Sequence, residues 1–274
     1  MDHTKALVIG GSRNIGYYAA TRLLEQGGTV TFLLRSPKVF EEDSTIQKYV
    51  QLGKARLVKG DALVKADVQR AWDEAARGGS NQGVDFLLFT LGFSGKPGFK
   101  LTQGFTISPP NLVTEALLNA LETLPYPHPK IVTISSTGVT RTSHSALPLL
   151  MRPLYGYFLA APHKDKRGAE EIVSHCADWP WDQRDCEGPE IMGENWTARV
   201  PARGQLKNIL VVRPALLTDG ECRGDTKGSN GYRVKEGDVE GAWKISRKDV
   251  GHFLVENALK NWEQWGGKCV SIAY

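Results

Sequence analysis

What this 274-residue chain lacks narrows its field before any motif is read. It has no apolar run near the roughly 18 residues of a membrane-spanning helix, so no membrane role is expected. Met1-Asp2-His3-Thr4-Lys5 leads into the first apolar run without the hydrophobic region of a signal peptide, which points to a cytoplasmic protein. Cysteine is scarce: Cys176, Cys186, Cys222 and Cys269 show neither close pairing nor zinc-knuckle spacing, and no metal site is expected. Cys186 and Cys222 could meet across a loop, but reduced thiols are the expected state. No repeat or low-complexity tract interrupts the chain. Its formal charge is only +4 and is spread along the sequence; it suits a polyanionic cofactor and gives no basis for nucleic-acid binding.

What is present is organised around Lys5-Ala6-Leu7-Val8-Ile9-Gly10-Gly11-Ser12-Arg13-Asn14-Ile15-Gly16. Four apolar residues run into a glycine pair, and an amphipathic stretch, Tyr17 to Gln26, comes next. That order predicts a buried strand, a tight turn and a helix whose first turn starts at the glycines. Such a turn lets backbone N–H groups and the positive helix end face a pyrophosphate. A plain structural turn also uses glycine, so the nucleotide reading leans on the residue that ends the second strand.

Apolar segments at 29–34, 55–59, 84–89, 130–138, 208–214 and 268–272 read as strands. Helical spacing separates them at 44–52, 64–76, 111–124, from His163 onward, and from Ile245 with Ser246 as cap. Gly78 to Gly83 reads as a loop, and Thr90 to Gly95, including Phe93 and Ser94, closes the fourth strand with small residues. Alternation throughout predicts one α/β domain over 1–274, a doubly wound parallel sheet in strand order 3-2-1-4-5-6. The segments 140–162, 178–204 and 214–244 are expected as pocket-side loops or insertions; the second carries Trp179, Trp181 and Trp196.

The second strand ends at Arg35, where an NAD-specific fold usually places an acid for the ribose 2′-hydroxyl. Arg35 and Arg13, in the two relevant loops, instead suit a 2′-phosphate, which favours NADP(H). Asp61 and Ala62, just beyond the third strand, could meet an adenine edge, though Asp61 serves a turn equally well. Leu91 and Gly92 would line the path to the nicotinamide, and Ser135 ends the fifth strand. Tyr155, Tyr157, His144 and His163 are the titratable candidates near the acceptor, the histidines also being ordinary solvated residues by type.

Gly10-Gly11 with Ile15-Gly16, Arg35, Gly60-Asp61, Ser135-Ser136, the 163–170 helix, Val212-Arg213-Pro214 and Ile245-Ser246-Arg247-Lys248-Asp249-Val250 resemble the atypical short-chain dehydrogenases. The likeness is greatest to the NAD(P)H-binding group that includes biliverdin IXβ/flavin reductases and NmrA-like proteins. It implies a Rossmann-type sheet with an extended NADP(H) across the strand ends and a small C-terminal lobe for the substrate. Ser135 would then be an orienting hydroxyl. Typical members have glycine where this chain has Asn14, and the family's Tyr-x-x-x-Lys pair is missing: Tyr155 is followed at that spacing by Leu159, Tyr157 by Ala161. The expected function is an NADPH-dependent reductase passing hydride to a small planar conjugated acceptor such as a flavin, quinone, tetrapyrrole or enone. The rival is a non-catalytic NADP(H) sensor acting through a protein partner, with the tryptophan insertion as its interface. A monomer or weak homo-oligomer is expected.

Overall fold

The computed structural model describes residues 3–78, 83–92, 98–100 and 104–274. Its first half runs β1 (Lys5–Ile9), α1 (Asn14–Glu25), β2 (Thr29–Leu34), α2 (Ser44–Gln51), β3 (Ala55–Lys59), α3 (Lys65–Ala76) and β4 (Phe86–Phe89). A hairpin of β5 (Gly98–Lys100) and β6 (Gly104–Thr106) comes next, then α4 (Leu112–Glu122), β7 (Lys130–Ile134), α5 (Arg141–Ala146), α6 (Ala160–Ala177) and α7 (Pro189–Met192). The chain ends with β8 (Ile209–Pro214), β9 (Leu216–Thr218), α8 (Gly224–Lys227), β10 (Arg233–Glu236), β11 (Lys244–Ser246), α9 (Arg247–His252) and β12 (Lys268–Ala273).

The main sheet has eight strands in the order β3-β2-β1-β4-β7-β8-β12-β10. Every neighbouring pair is parallel except β10 with β12. The parallel strands thus take the expected order, with the final strand added beyond the sixth. Strand residues alternate between two cores, as a pleat requires. Leu7 and Ile9 of β1 point to the core under α3, α4 and α6, whereas Ala6 and Val8 point to the core under α1 and α9. The fold is therefore a single α/β domain with a doubly wound, largely parallel Rossmann-type sheet. Among the described residues no helix is long and apolar enough to cross a membrane.

Three expected loops are better ordered than their composition suggested. Within 140–162, the Thr140 hydroxyl accepts from the Ser143 amide at 3.3 Å and starts α5. A π-helical turn, Leu154–Phe158, then leads into α6, which begins three residues before His163. The 214–244 stretch is not a loop: β9 pairs in parallel with β11, and β10 extends the main sheet. In 178–204, Trp179 and Trp196 pack against the core under α4 and α6. Arg199 pins that insertion to α4 through Glu115 at 2.9 Å and Glu122 at 3.0 Å. Two of its three tryptophans are therefore partly buried against the domain's own core. The antiparallel pairing of β5 with β6 was not anticipated. Of the segments read as loop or strand closure, 79–82 and Phe93, Ser94 and Gly95 lie outside the described residues. Cys186 is exposed and Cys222 is buried beside Asp249 at 3.4 Å, and both are free thiols.

Candidate active site

A cleft of about 1110 Å³ opens at the carboxyl ends of the parallel strands, where open α/β sheets bind ligands. Gly10, Ser12, Arg13, Asn14 and Ile15 line one bank, with Arg35, Asp61, Ala62, Leu91 and Gly92 beside them. Gly10 has φ +90°, and a Cβ there would lie 2.5 Å from the Leu91 amide nitrogen, so only glycine lets the turn reach the end of β4. Asn14 has φ 58°, the left-handed region that asparagine tolerates, so the turn survives the missing glycine. Gly11 and Gly16 do not line the cleft. A Cβ on Gly11 would strike Val8 and Phe32 at 2.6 and 2.8 Å, and one on Gly16 would meet the Gly10 carbonyl at 2.7 Å. These two glycines allow close packing beneath the turn.

The start of α1 is uncapped. Arg13 sits extended at the N-cap without a side-chain hydrogen bond, and the first turn holds no acid. The opening N–H groups of a helix have no intrahelical acceptor, so this end offers donors and partial positive charge to the cleft. Arg13 and Arg35 are exposed, and among the described residues neither has an ion-pair partner. Asp61 serves its turn, its Oδ1 accepting from the Leu63 amide at 3.0 Å, and it also lines the cleft.

At the inner end, Ser135, Tyr155, His163 and Lys166 come together from β7, the π-helical turn and α6. Ser135 Oγ and His163 Nε2 are buried with no hydrogen-bond partner among the described residues. Tyr155 is 2 % exposed and meets the His163 ring edge-on, centroids 5.4 Å apart. Burial raises the Tyr155 phenol above its ordinary range, with the Thr137 hydroxyl opposing. Burial, reinforced by the Lys166 charge, drives His163 down to about 3, so the ring is neutral near pH 7. Lys166, half-buried, donates to the backbone carbonyls of Ile134 at 3.2 Å and Ser135 at 2.8 Å. Burial lowers its ammonium to about 8 while Asp165 and Glu170 pull the other way. Tyr157 and His144 are not part of the lining; Tyr157 is 37 % exposed and packs edge-on against Phe158.

Lys166 escapes a reading that counts forward from each tyrosine. Counting backward from Lys166 reaches Pro162, so this chain keeps a lysine on α6 and brings its tyrosine from an earlier turn. Arg247 is visible only as part of the 245–250 motif, without a role, and the apolar wall of Ile107, Pro109, Leu112, Leu159 and Pro162 carries no local signal that marks it.

Because the folded state holds His163 neutral while the unfolded chain titrates near 6.5, His163 contributes stability that is fully present above pH 6.5 and lost as pH falls from there towards about 3. The loss is on the order of 4 kcal/mol across that window. Urea unfolding of the wild type and His163→Gln between pH 7 and pH 4 checks this: the wild type should lose stability more steeply. Parallel curves would contradict it.

The chain matches no protein-family model. Over 151 residues it is 30 % identical to Reductase pytE of Aspergillus terreus, a match covering 53 % of this chain and 48 % of that protein. The match thus spans about half the length of that curated relative. Among solved structures it superposes on ChuY, an anaerobillin reductase from Escherichia coli O157:H7, with TM-score 0.58 and 17 % identity over 98 % of this chain and 97 % of that one. A short chain dehydrogenase from Burkholderia cenocepacia J2315 in complex with NADP gives TM-score 0.54 and 20 % identity, covering 93 % and 91 %. A putative NAD-dependent epimerase/dehydratase from Bacillus halodurans gives 0.57 and 15 %, covering 98 % and 94 %. At these identities the likeness establishes the fold.

Proposed function

We propose that this chain is an NADP(H)-dependent reductase of the short-chain dehydrogenase type, passing hydride to a small planar conjugated acceptor. The observation that carries the reading is the uncapped start of α1 opening into a large cleft flanked by Arg13 and Arg35 without ion-pair partners. The cleft runs along the carboxyl ends of the parallel strands from Asp61 to Pro214, a course that suits an extended dinucleotide. The relative named a reductase and the similar fold bound to NADP support the same reading.

The cofactor, when bound, supplies the hydride, and the chain binds, orients and excludes water. The amides of the Gly10–Ile15 turn and the start of α1 receive the pyrophosphate. Arg13 and Arg35 would hold the 2′-phosphate, Asp61 and Ala62 would face the adenine edge, and Leu91 and Gly92 would line the path inward. Ile107, Pro109, Leu112, Leu159 and Pro162 form a dry wall against which a planar acceptor lies. Ser135 and His163 border the inner end of the cleft, with Ser135 Oγ and His163 Nε2 buried behind its surface. With its phenol pushed above the ordinary range, Tyr155 keeps its proton at pH 7 and serves as an acid, not a base. Lys166 fixes the Ser135 backbone beneath it.

The test is NADPH oxidation in the presence of a free flavin, a quinone, a linear tetrapyrrole and an enone, then the same assay on Tyr155→Phe. Turnover with at least one acceptor is expected. For an acceptor that must be protonated, the variant should lose roughly 10²-fold in kcat, within the usual span of general-acid catalysis. A wild type that oxidises NADPH with none of the four counts against the reductase.

A further inference from the structure

The cleft holds a cation that the dinucleotide reading has not used. Among the described residues its lining carries Arg13, Arg35, Lys166 and Arg247 against a single carboxylate, Asp61. Arg247 comes directly after Ser246, whose hydroxyl accepts from the Asp249 amide at 2.9 Å and starts α9. That helix lies along α1: a Cβ on Gly251 would sit 2.8 Å from Tyr18 Cβ, and further along Gln26 donates to Glu256 at 2.6 Å. Residue numbers rise together on both helices, so they run in the same direction. One turn before Gly251, Arg247 therefore stands beside the first residues of α1, and Asn14, Ile15 and Arg247 line the same cleft.

Arg247 is occupied in this state by Asp219, Nη1 to Oδ1 2.7 Å, and the next residue, Lys248, holds Glu221 at 3.2 Å. Both carboxylates belong to the turn after β9 and stand in solvent, 80 % and 93 % exposed, whereas the Arg247 side chain is 23 % exposed. Ion pairs of this kind are individually weak and readily exchanged. A pyrophosphate held against the uncapped start of α1 would carry more charge, in a less hydrated setting, within reach of the same guanidinium.

We propose that Arg247 is a further binding residue for the cofactor's pyrophosphate, and that Asp219 is the internal anion it gives up when the cofactor enters. This rests on the dinucleotide reading of the cleft. Asp219 keeps the guanidinium aimed along the rim, and the exchange unfastens the 219–221 turn. Leu216 and Leu217, just before that turn, line the cleft, so binding of the cofactor loosens the bank past which an acceptor enters.

The pyrophosphate is common to NADPH and NADH, which separates this residue from one that reads the 2′-phosphate. Dissociation constants for both cofactors are measured by quenching of intrinsic tryptophan fluorescence for the wild type, Arg247→Gln and Asp219→Asn, with hydrogen exchange at 219–223 monitored with and without NADPH. Arg247→Gln should weaken both cofactors by about tenfold or more, the scale of a lost charge-assisted bond. Asp219→Asn, at an exposed position that leaves the fold intact, should tighten both several-fold, and exchange at 219–223 should rise on binding. Unchanged affinities in Arg247→Gln, a loss confined to NADPH, or weaker binding in Asp219→Asn would overturn the proposal while the dinucleotide reading stands. A wild type that binds neither cofactor removes both.

Discussion

Replacing Arg35 with aspartate is expected to weaken NADPH binding by roughly 10²–10³-fold and to change NADH binding by less than about threefold. Arg35 ends β2 at the cleft wall, exposed and without an ion-pair partner among the described residues, so its removal disturbs no internal bond. A 2′-phosphate meeting aspartate exchanges a charge-assisted contact for repulsion, whereas a 2′-hydroxyl meets a serviceable acceptor. Because the site is exposed, the effect should shrink with added salt. Calorimetric titration of both cofactors at two ionic strengths reads this directly. Equal losses for NADPH and NADH would remove Arg35 from the 2′-phosphate.

The largest expected effect on stability is at the join between α6 and β8. Glu170 and Arg213 are 4 % and 9 % exposed and form a two-pronged pair, Nε to Oε1 2.9 Å and Nη2 to Oε2 2.5 Å. Removing one partner leaves the other charge buried alone, which costs about 3–5 kcal/mol. Glu170→Ala should therefore lose that much in urea unfolding. The double variant Glu170→Leu with Arg213→Met should recover most of it, because an apolar pair of similar volume needs no charge partner. A double variant as unstable as the single one would show that the pair matters by shape and not by charge.

The sheet order was legible because buried parallel strands read as apolar runs, and the Gly10–Gly16 turn because few residues tolerate its close approaches. Arg35 was legible as a type at a position. The Ser246 cap could be read because its partner, Asp249, lies only three residues on. What escaped depends on parts of the chain distant in sequence. Tyr155 meets His163 from a π-helical turn that precedes α6, and no local spacing announces such a turn. Glu170 and Arg213 were both visible in motifs, but their pairing needs the fold. Polar composition and exposure hid β10, and β9 and β11 are three residues each, too short for a local pattern, so their pairing shows only in the fold. Trp179 and Trp196 looked like an interface because their burial against α4 and α6 could not be seen from the insertion itself.

The central claim is that a dinucleotide lies along the start of α1 with its reactive ring at an open pocket. A crystal structure with NADPH bound tests it most directly. The pyrophosphate should lie on the Gly10–Ile15 amides, and nicotinamide C4 should face the volume between Ser135, Tyr155 and Leu159, with room for an acceptor atom about 3–3.5 Å away. NADPH bound elsewhere, or C4 pressed against packed side chains with no neighbouring segment able to open, would contradict the reductase.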